Sequence, residues 1–202
     1  MNKNRDDNIP HLRKKGTATQ LIVDGEPFVM LGGELHNSSS SSLKYMEPIW
    51  SRLVSLGLNM VLAPVSWELV EPEEEKFDFT IVDGLIKEAR RHKLKLVFLW
   101  FGTWKNTSSS YAPTWVKTDL KRFPRAQLSQ GRNTDAVSCF SKAACLADAR
   151  AFSALMKHIR EVDDQEHTVI MMQVENEVGI LRTPRDRCQM AEERFAQQAR
   201  RS

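Results

Sequence analysis

Four short apolar runs alternate with amphipathic stretches along this 202-residue chain, and this alternation is the strongest constraint on its fold. The runs are rich in β-branched and large apolar residues, which is typical of strands that are buried on both faces. They cover residues 27–31, 58–63, 94–100 and 168–174. Strands that alternate with helices predict an α/β fold with a parallel sheet and right-handed crossovers.

The connections that follow the predicted strands are longer than the connections that lead from each helix to the next strand. Apolar residues at helical spacing predict helices at about 43–56, from 80 onwards, around 152–159 and at about 186–200. Loops after strands are long, and the longest runs from 105 to about 146, whereas helix-to-strand connections such as Gly57 are short. This asymmetry is typical of a (β/α)8 TIM barrel, which takes eight strands and about 250 residues. Four strand-helix units therefore predict an incomplete barrel with unpaired sheet edges.

The amino-terminal region predicts a flexible arm and a hairpin. Residues 1–16 are polar and predict the arm, and the Asp24-Gly25 pair between two short apolar runs predicts a tight β-hairpin turn. We expect residues 17–202 to form one partial catalytic domain. The arm has no apolar core segment, and no later run approaches membrane-spanning length. No membrane contact and a cytoplasmic location are the resulting expectations.

Composition excludes several functional classes. The formal net charge of +3 arises from 29 basic and 26 acidic residues, which is too balanced to predict nucleic-acid binding. The three cysteines and five histidines show no metal-ligand spacing, so we predict neither a metal site nor a cofactor. The oligomeric state stays open.

An acidic cluster closes the last apolar run. Glu175, Asn176 and Glu177 follow it directly, at the strand end where α/β barrels place their active sites. Glu177 is the first catalytic candidate. We expect Glu175 to be structural, either paired with an arginine or facing the neighbouring strand.

Two segments carry a resemblance to a known family. The segment 173–179, Gln-Val-Glu-Asn-Glu-Val-Gly, and the segment 67–79, which begins Trp-Glu-Leu-Val-Glu-Pro, together resemble glycoside hydrolase family 35, the β-galactosidase family. The resemblance covers about residues 17 to 182. It implies the amino-terminal half of the catalytic barrel of a retaining glycosidase that acts on terminal β-galactosides or related β-glycosides, with a carbohydrate as its partner. By position, Glu177 would be the general acid/base, and Asn176 would hydrogen-bond the sugar near its reacting carbon.

The implied chemistry needs a second carboxyl group. Retention takes two carboxyl groups roughly 5 to 5.5 Å apart, and the acid must stay protonated, which burial and a nearby negative charge can arrange. In the family the nucleophilic glutamate follows the seventh strand, which lies beyond these residues. Glu175 cannot replace it, because it lies on the same strand end as Glu177. We therefore expect the chain alone to be inactive. The alternative is a catalytically inactive carbohydrate-binding or scaffold fragment of the same fold.

Further candidates lie just past the strand ends. Trp67 and Trp104 could stack on a sugar ring or pack in the core. The other substrate-binding candidates are Lys105, Asn106, Glu68 and Glu34. Two departures from the commonest family pattern, Thr103-Trp104 in the loop after the third strand and Pro64 in place of a tyrosine, weaken the assignment of galactose as the bound sugar but not of the reaction class.

Overall fold

The computed structural model describes residues 9–197, which divide into two compact units. The first unit comprises residues 9–65, 79–99 and 156–173, and the second comprises residues 66–78, 100–155 and 174–197. The strands are β1 (His11–Lys15), β2 (Ala18–Val23), β3 (Glu26–Pro27), β4 (Gly32–Glu34), β5 (Met60–Ser66), β6 (Lys95–Phe101), β7 (Arg125–Gln127), β8 (Asn133–Val137) and β9 (Val169–Val174). The helices are α1 (Leu43–Ser55), α2 (Trp67–Val70), α3 (Thr80–Arg91), α4 (Thr114–Thr118), α5 (Lys142–Asp163) and α6 (Gln189–Phe195).

A four-stranded parallel sheet confirms the predicted α/β class. Its order is β4-β5-β6-β9, and the register of the first pair places Gly32 beside Met60. The strands predicted at 58–63, 94–100 and 168–174 are β5, β6 and β9, with small shifts at their ends. Residues 9–197 form no closed barrel.

The first predicted strand, 27–31, is wrong. Residues 28–31 lie between β3 and β4, where the side chain of Asn59 accepts a hydrogen bond from Leu31 N (2.9 Å) and donates one to Val29 O (2.7 Å). These are backbone groups that a strand would use in its ladder. The side chain of Asn59, just before β5, thus takes the place of a pairing strand, which the apolar character of residues 27–31 could not reveal.

An antiparallel hairpin precedes the sheet. The predicted turn at Asp24 and Gly25 is present, and both residues have positive φ (54° and 83°), as a tight turn of the primed type requires. The expected flexible arm is wrong at residues 11–15, which form β1 and pair with β2, His11 opposite Ile22. An exposed edge strand needs backbone partners rather than apolar side chains, so its polar composition was misleading. Residues 1–8 lie outside the described part of the chain.

The core of the first unit follows the predicted helical spacing. Helix α1 buries Met46, Trp50 and Leu53, and α3 buries Val82, Leu85, Ile86 and Ala89. Gly57 follows α1 with φ 74°, a conformation in which glycine is the usual residue after a helix end. No helix within residues 9–197 combines the length and the apolar character that a bilayer-spanning helix needs.

The second unit contains structure where a long loop was expected. The stretch 105–146 holds α4, the antiparallel pair β7–β8 and the start of α5. Elements of three to five residues are too short to show a period, and the first turns of α5 are rich in alanine and give little contrast between faces. The predicted final helix, 186–200, is shorter within the described residues, since α6 ends at Phe195 and residues 198–200 lie outside them.

We predict that Arg90 stabilises the first unit through the buried Asp163. Arg90 donates to an oxygen of Asp163 (2.5 Å) and to Thr168 Oγ1 (2.8 Å), and the other oxygen of Asp163 accepts from Val169 N (2.7 Å). Because Arg90→Met leaves the Asp163 charge buried without this partner, it should lower the free energy of unfolding by about 2–3 kcal/mol in urea denaturation. Arg91→Met is the matched control, because Arg91 is exposed and pairs only at the surface with Glu88. Equal effects of the two substitutions would contradict this account.

Candidate active site

The chain turns sharply at the carboxyl end of β9. Glu175 and Glu177 have positive φ (63° and 47°), and in the loop after β6 the same is true of Asn106 (52°) and Thr107 (61°). These are strained conformations for residues with side chains, and they concentrate at functional sites. The two loops are in contact, because Thr107 N donates a hydrogen bond to Glu177 O (3.3 Å). Two adjoining loops of the second unit therefore hold four strained residues.

A buried lysine joins the same two loops. Lys105 Nζ donates to Asn176 Oδ1 (2.7 Å) and lies 4.6 Å from the centre of the Phe101 ring, a cation–π contact. Lys105 is only 7% exposed, so its ammonium group is largely withdrawn from water. With its oxygen occupied by Lys105, the Asn176 amide can present its NH2 group as a hydrogen-bond donor.

Glu175 fastens the end of β9 to the loop after β6. One of its oxygens accepts from Thr103 N (3.1 Å) and the other from Trp104 N (2.7 Å). Desolvation raises the pKa of Glu175 to about 9, and the hydrogen bond and charge of Asp148 act in the same direction, while the two backbone N–H groups oppose them. The expected structural role thus takes the form of contact with the neighbouring strand end.

Asp148, on α5, completes this cluster. It is 8% exposed and accepts hydrogen bonds from Trp100 Nε1 (2.8 Å), Thr103 N (2.6 Å) and Thr103 Oγ1 (2.5 Å). Gly102 leaves the space that the cluster needs. A Cβ atom there would lie 2.5 Å from Asp148 Oδ2 and 2.6 Å from Glu175 Oε1, closer than atoms pack.

A cavity of about 330 Å³ lies beside the cluster. Apolar and aromatic groups, including Trp104, Phe152 and Val178, line much of it, together with Asp148 and Glu175. This mixture of apolar walls and a few polar groups is usual for small-molecule sites. Trp104 is 5% exposed, so the cavity is the place where its indole can meet a ligand.

The catalytic candidate itself lies outside this cavity. Glu177 is exposed and does not line the cavity, whereas Glu175 does. The expectation that burial would shield the catalytic acid is therefore wrong for Glu177 within the described residues. The carboxyl group whose pKa burial raises is that of Glu175 instead.

The expected stacking role of Trp67 is also wrong. Trp67 is fully buried, its Nε1 donates to Glu71 Oε2 (2.7 Å), and its ring packs edge-on against Trp115. Glu71 is itself fully buried and also accepts from Arg150 (3.0 Å). An indole enclosed in this way has no face for a sugar, so Trp67 is a core residue that fixes α2.

The remaining candidates are dispersed. Glu68 is half-buried and pairs with Lys117 Nζ (3.0 Å), and Asn106 is exposed next to Lys105. Glu34 is exposed at the end of β4 in the first unit. Among residues 9–197, no group of three or more His, Cys, Asp or Glu side chains is placed to hold a metal ion.

Asp148 is the member of the carboxyl cluster that the sequence did not reveal. It lies on the face of α5 that buries Ala144, Ala151 and Leu155, so a charged residue on an otherwise apolar helical face was the available signal. The signal could not be used, because the predicted helical pattern began at Phe152 and the predicted loop ended near residue 146, so Asp148 was assigned to neither.

The chain matches a family model and is similar to known enzymes in sequence and in fold. The family model described as "Glycosyl hydrolases family 35" matches residues 20–201. A β-galactosidase from Xanthomonas manihotis is 33% identical over 82 residues, which cover 39% of this chain and 14% of that enzyme. Among solved structures, an exo-β-1,4-mannosidase from Opitutaceae bacterium strain TAV5 superposes with a TM-score of 0.52 at 18% identity. That match covers 75% of this chain and 25% of the mannosidase and shows likeness of fold. The chain thus spans a quarter or less of the length of these two relatives.

We predict that Gly102→Ala disrupts the carboxyl cluster. The added methyl group would meet Trp100 Nε1 and both carboxyl groups at 2.4–2.6 Å, so the free energy of unfolding should fall by about 1–3 kcal/mol. Gly179→Ala is the matched control, because a Cβ atom at Gly179 meets nothing within 4 Å. Chemical denaturation of both variants tests this prediction, and an unchanged midpoint for Gly102→Ala would contradict it.

Proposed function

This chain belongs to glycosyl hydrolase family 35, and we propose that it forms the amino-terminal half of the catalytic barrel of a retaining β-glycosidase. The proposed substrates are terminal β-galactosides or related β-glycosides. The observation that carries the proposal is the pair Asn176–Glu177 at the end of β9, held by Lys105 and Thr107 of the loop after β6. This is the strand end at which barrel enzymes place their catalytic groups.

Glu177 is the proposed general acid/base. In the first step its carboxyl group would protonate the departing glycosidic oxygen, and in the second it would take a proton from the attacking water. Its exposure within the described residues supports a role at an open surface that substrate and further barrel strands enclose. Burial of this group would then arise only in the assembled enzyme.

Asn176 is the proposed sugar-binding neighbour. Because Lys105 occupies its oxygen, the Asn176 amide would donate its NH2 hydrogens to a hydroxyl next to the reacting carbon. Hydrogen bonds to the 2-hydroxyl that strengthen in the transition state contribute several kcal/mol in glycosidases. Lys105 would thus be a positioning residue rather than a direct ligand.

The second carboxyl group is proposed to come from outside these 202 residues. The matches cover 14% of the β-galactosidase relative and 25% of the mannosidase, so most of the length of each relative lies outside the matched part. Strands β4 and β9 are the ends of the sheet order, and in this proposal further strands continue the barrel from them.

Replacing Glu177 should remove the proton donor. In the protein encoded by the complete gene that contains this chain, Glu177→Gln should lower kcat on an alkyl β-galactoside by about 10²–10⁴-fold, because the leaving alkoxide then departs unprotonated. The loss in kcat/KM, which reports the first step alone, should be smaller on an aryl β-galactoside with an acidic leaving group, which needs less protonation. Glu193→Gln, an exposed glutamate of α6, is the control. Wild-type turnover by Glu177→Gln on both substrates would refute the assignment.

Replacing Lys105 should act through Asn176. Lys105→Met retains most of the buried stem but removes the charged donor to Asn176, so kcat/KM should fall roughly tenfold. Steady-state kinetics on the same substrates measure this effect. The double variant of Lys105→Met with Asn176→Ala should be little worse than Asn176→Ala alone, and fully additive losses would contradict the coupling.

A further inference from the structure

Two carboxyl groups converge on one backbone N–H next to the proposed site. Thr103 N donates to Asp148 Oδ2 at 2.6 Å and to Glu175 Oε1 at 3.1 Å, so one oxygen of each carboxyl group lies at the same N–H, within reach of a hydrogen bond between the two groups. Two carboxylate oxygens both accept, so a hydrogen bond between them requires a proton on one of them. One proton between Asp148 and Glu175 would let these two oxygens form a hydrogen bond where two carboxylates would repel.

We propose that Glu175 and Asp148 share one proton and act as a pH-sensitive positioning pair, which holds the loop after β6 and, through Lys105, orients Asn176. The sharing of the proton does not depend on the function proposed above. The positioning of Asn176 rests on the function proposed above and adds a regulation to that site.

The donors around the pair show what the shared proton maintains. The oxygens of the two carboxyl groups accept hydrogen bonds from four donors: Trp100 Nε1, Thr103 N, Thr103 Oγ1 and Trp104 N. The next residue of the same loop is Lys105, whose Nζ holds Asn176. A displacement of Thr103 and Trp104 would therefore move the lysine that fixes the amide.

Loss of the shared proton would place two anions against each other in a largely desolvated site. Two carboxylates that share one hydrogen-bond donor repel each other strongly, which is the reason that paired carboxyl groups titrate in two separate steps. Other titratable groups border the pair along the chain and in the cavity wall: Lys105 in the loop after β6, Glu177 after β9, and the cavity-lining thiols of Cys139 and Cys145. Desolvation raises the pKa of the Cys139 thiol, so this thiol adds no charge near neutrality.

The direction of the pH dependence follows from linkage. Desolvation raises the pKa of Glu175 from 4.5 to about 9 in the folded chain, so between these values the folded chain binds one more proton than the unfolded chain. The stability that the pair contributes is fully present below about pH 4.5, falls as pH rises through this window and is lost above about pH 9. The positioning of Asn176 should weaken over the upper part of the same range.

An NMR titration tests the proposal without relying on turnover. The backbone amide resonances of Thr103 and Trp104 and the side-chain NH2 resonances of Asn176 are followed between about pH 5 and pH 10.5, a range that spans the expected midpoint near 9. All three should shift with that one midpoint in the wild-type chain and in the control Glu193→Gln. In Glu175→Gln, whose amide keeps the donor to Asp148 but cannot ionise, this transition should disappear.

Each outcome decides one part of the proposal. A wild-type transition of Thr103 and Trp104 with a midpoint below about pH 6, in the range of an ordinary carboxyl group, would overturn the shared proton, and this result needs no variant to fold. Persistence of the high transition in Glu175→Gln would overturn the assignment to Glu175. Asn176 resonances that stay fixed while Thr103 and Trp104 titrate would overturn the positioning role and leave the shared proton standing.

Discussion

Two backbone N–H groups at the end of β6 donate to one carboxyl group at the end of β9, and the candidate site depends on this contact. Glu175 accepts hydrogen bonds from Thr103 N and Trp104 N, so the turn after β9 and the loop after β6 are fixed to each other. The left-handed conformations of Glu175 and Glu177 would be costly without such support. The contact therefore sets the direction in which the chain presents Asn176 and Glu177.

The two glutamates that follow β9, Glu175 and Glu177, lie in different environments. Burial raises the pKa of Glu175, which accepts hydrogen bonds from two backbone N–H groups, whereas Glu177, two residues later, is exposed. Chemically similar side chains acquire different roles because the turn places one against Asp148 and α5 and leaves the other accessible. In the proposed enzyme, the first glutamate maintains geometry and the second transfers protons.

Sequence patterns predicted most of the alternating framework and part of the site. The runs that became β5, β6 and β9 are long and apolar enough to show their class, and Asn176–Glu177 falls at the predicted strand end. The carboxyl cluster could not be predicted, because Asp148 is 27 residues from Glu175 and only tertiary contact makes them partners. Trp67 was misassigned for a related reason: a tryptophan past a strand end suits either a sugar or the core, and the buried Glu71 decides for the core.

The most direct test of the central claim is a crystal structure of the complete enzyme with a galactose-derived inhibitor bound at the catalytic centre. The account predicts that a carboxyl oxygen of Glu177 lies within about 3.2 Å of the glycosidic oxygen or its equivalent. A second carboxyl group, from residues outside this chain, should lie roughly 5 to 5.5 Å from that of Glu177, on the other side of the anomeric carbon. An inhibitor bound with Glu177 remote from its anomeric centre would contradict the account.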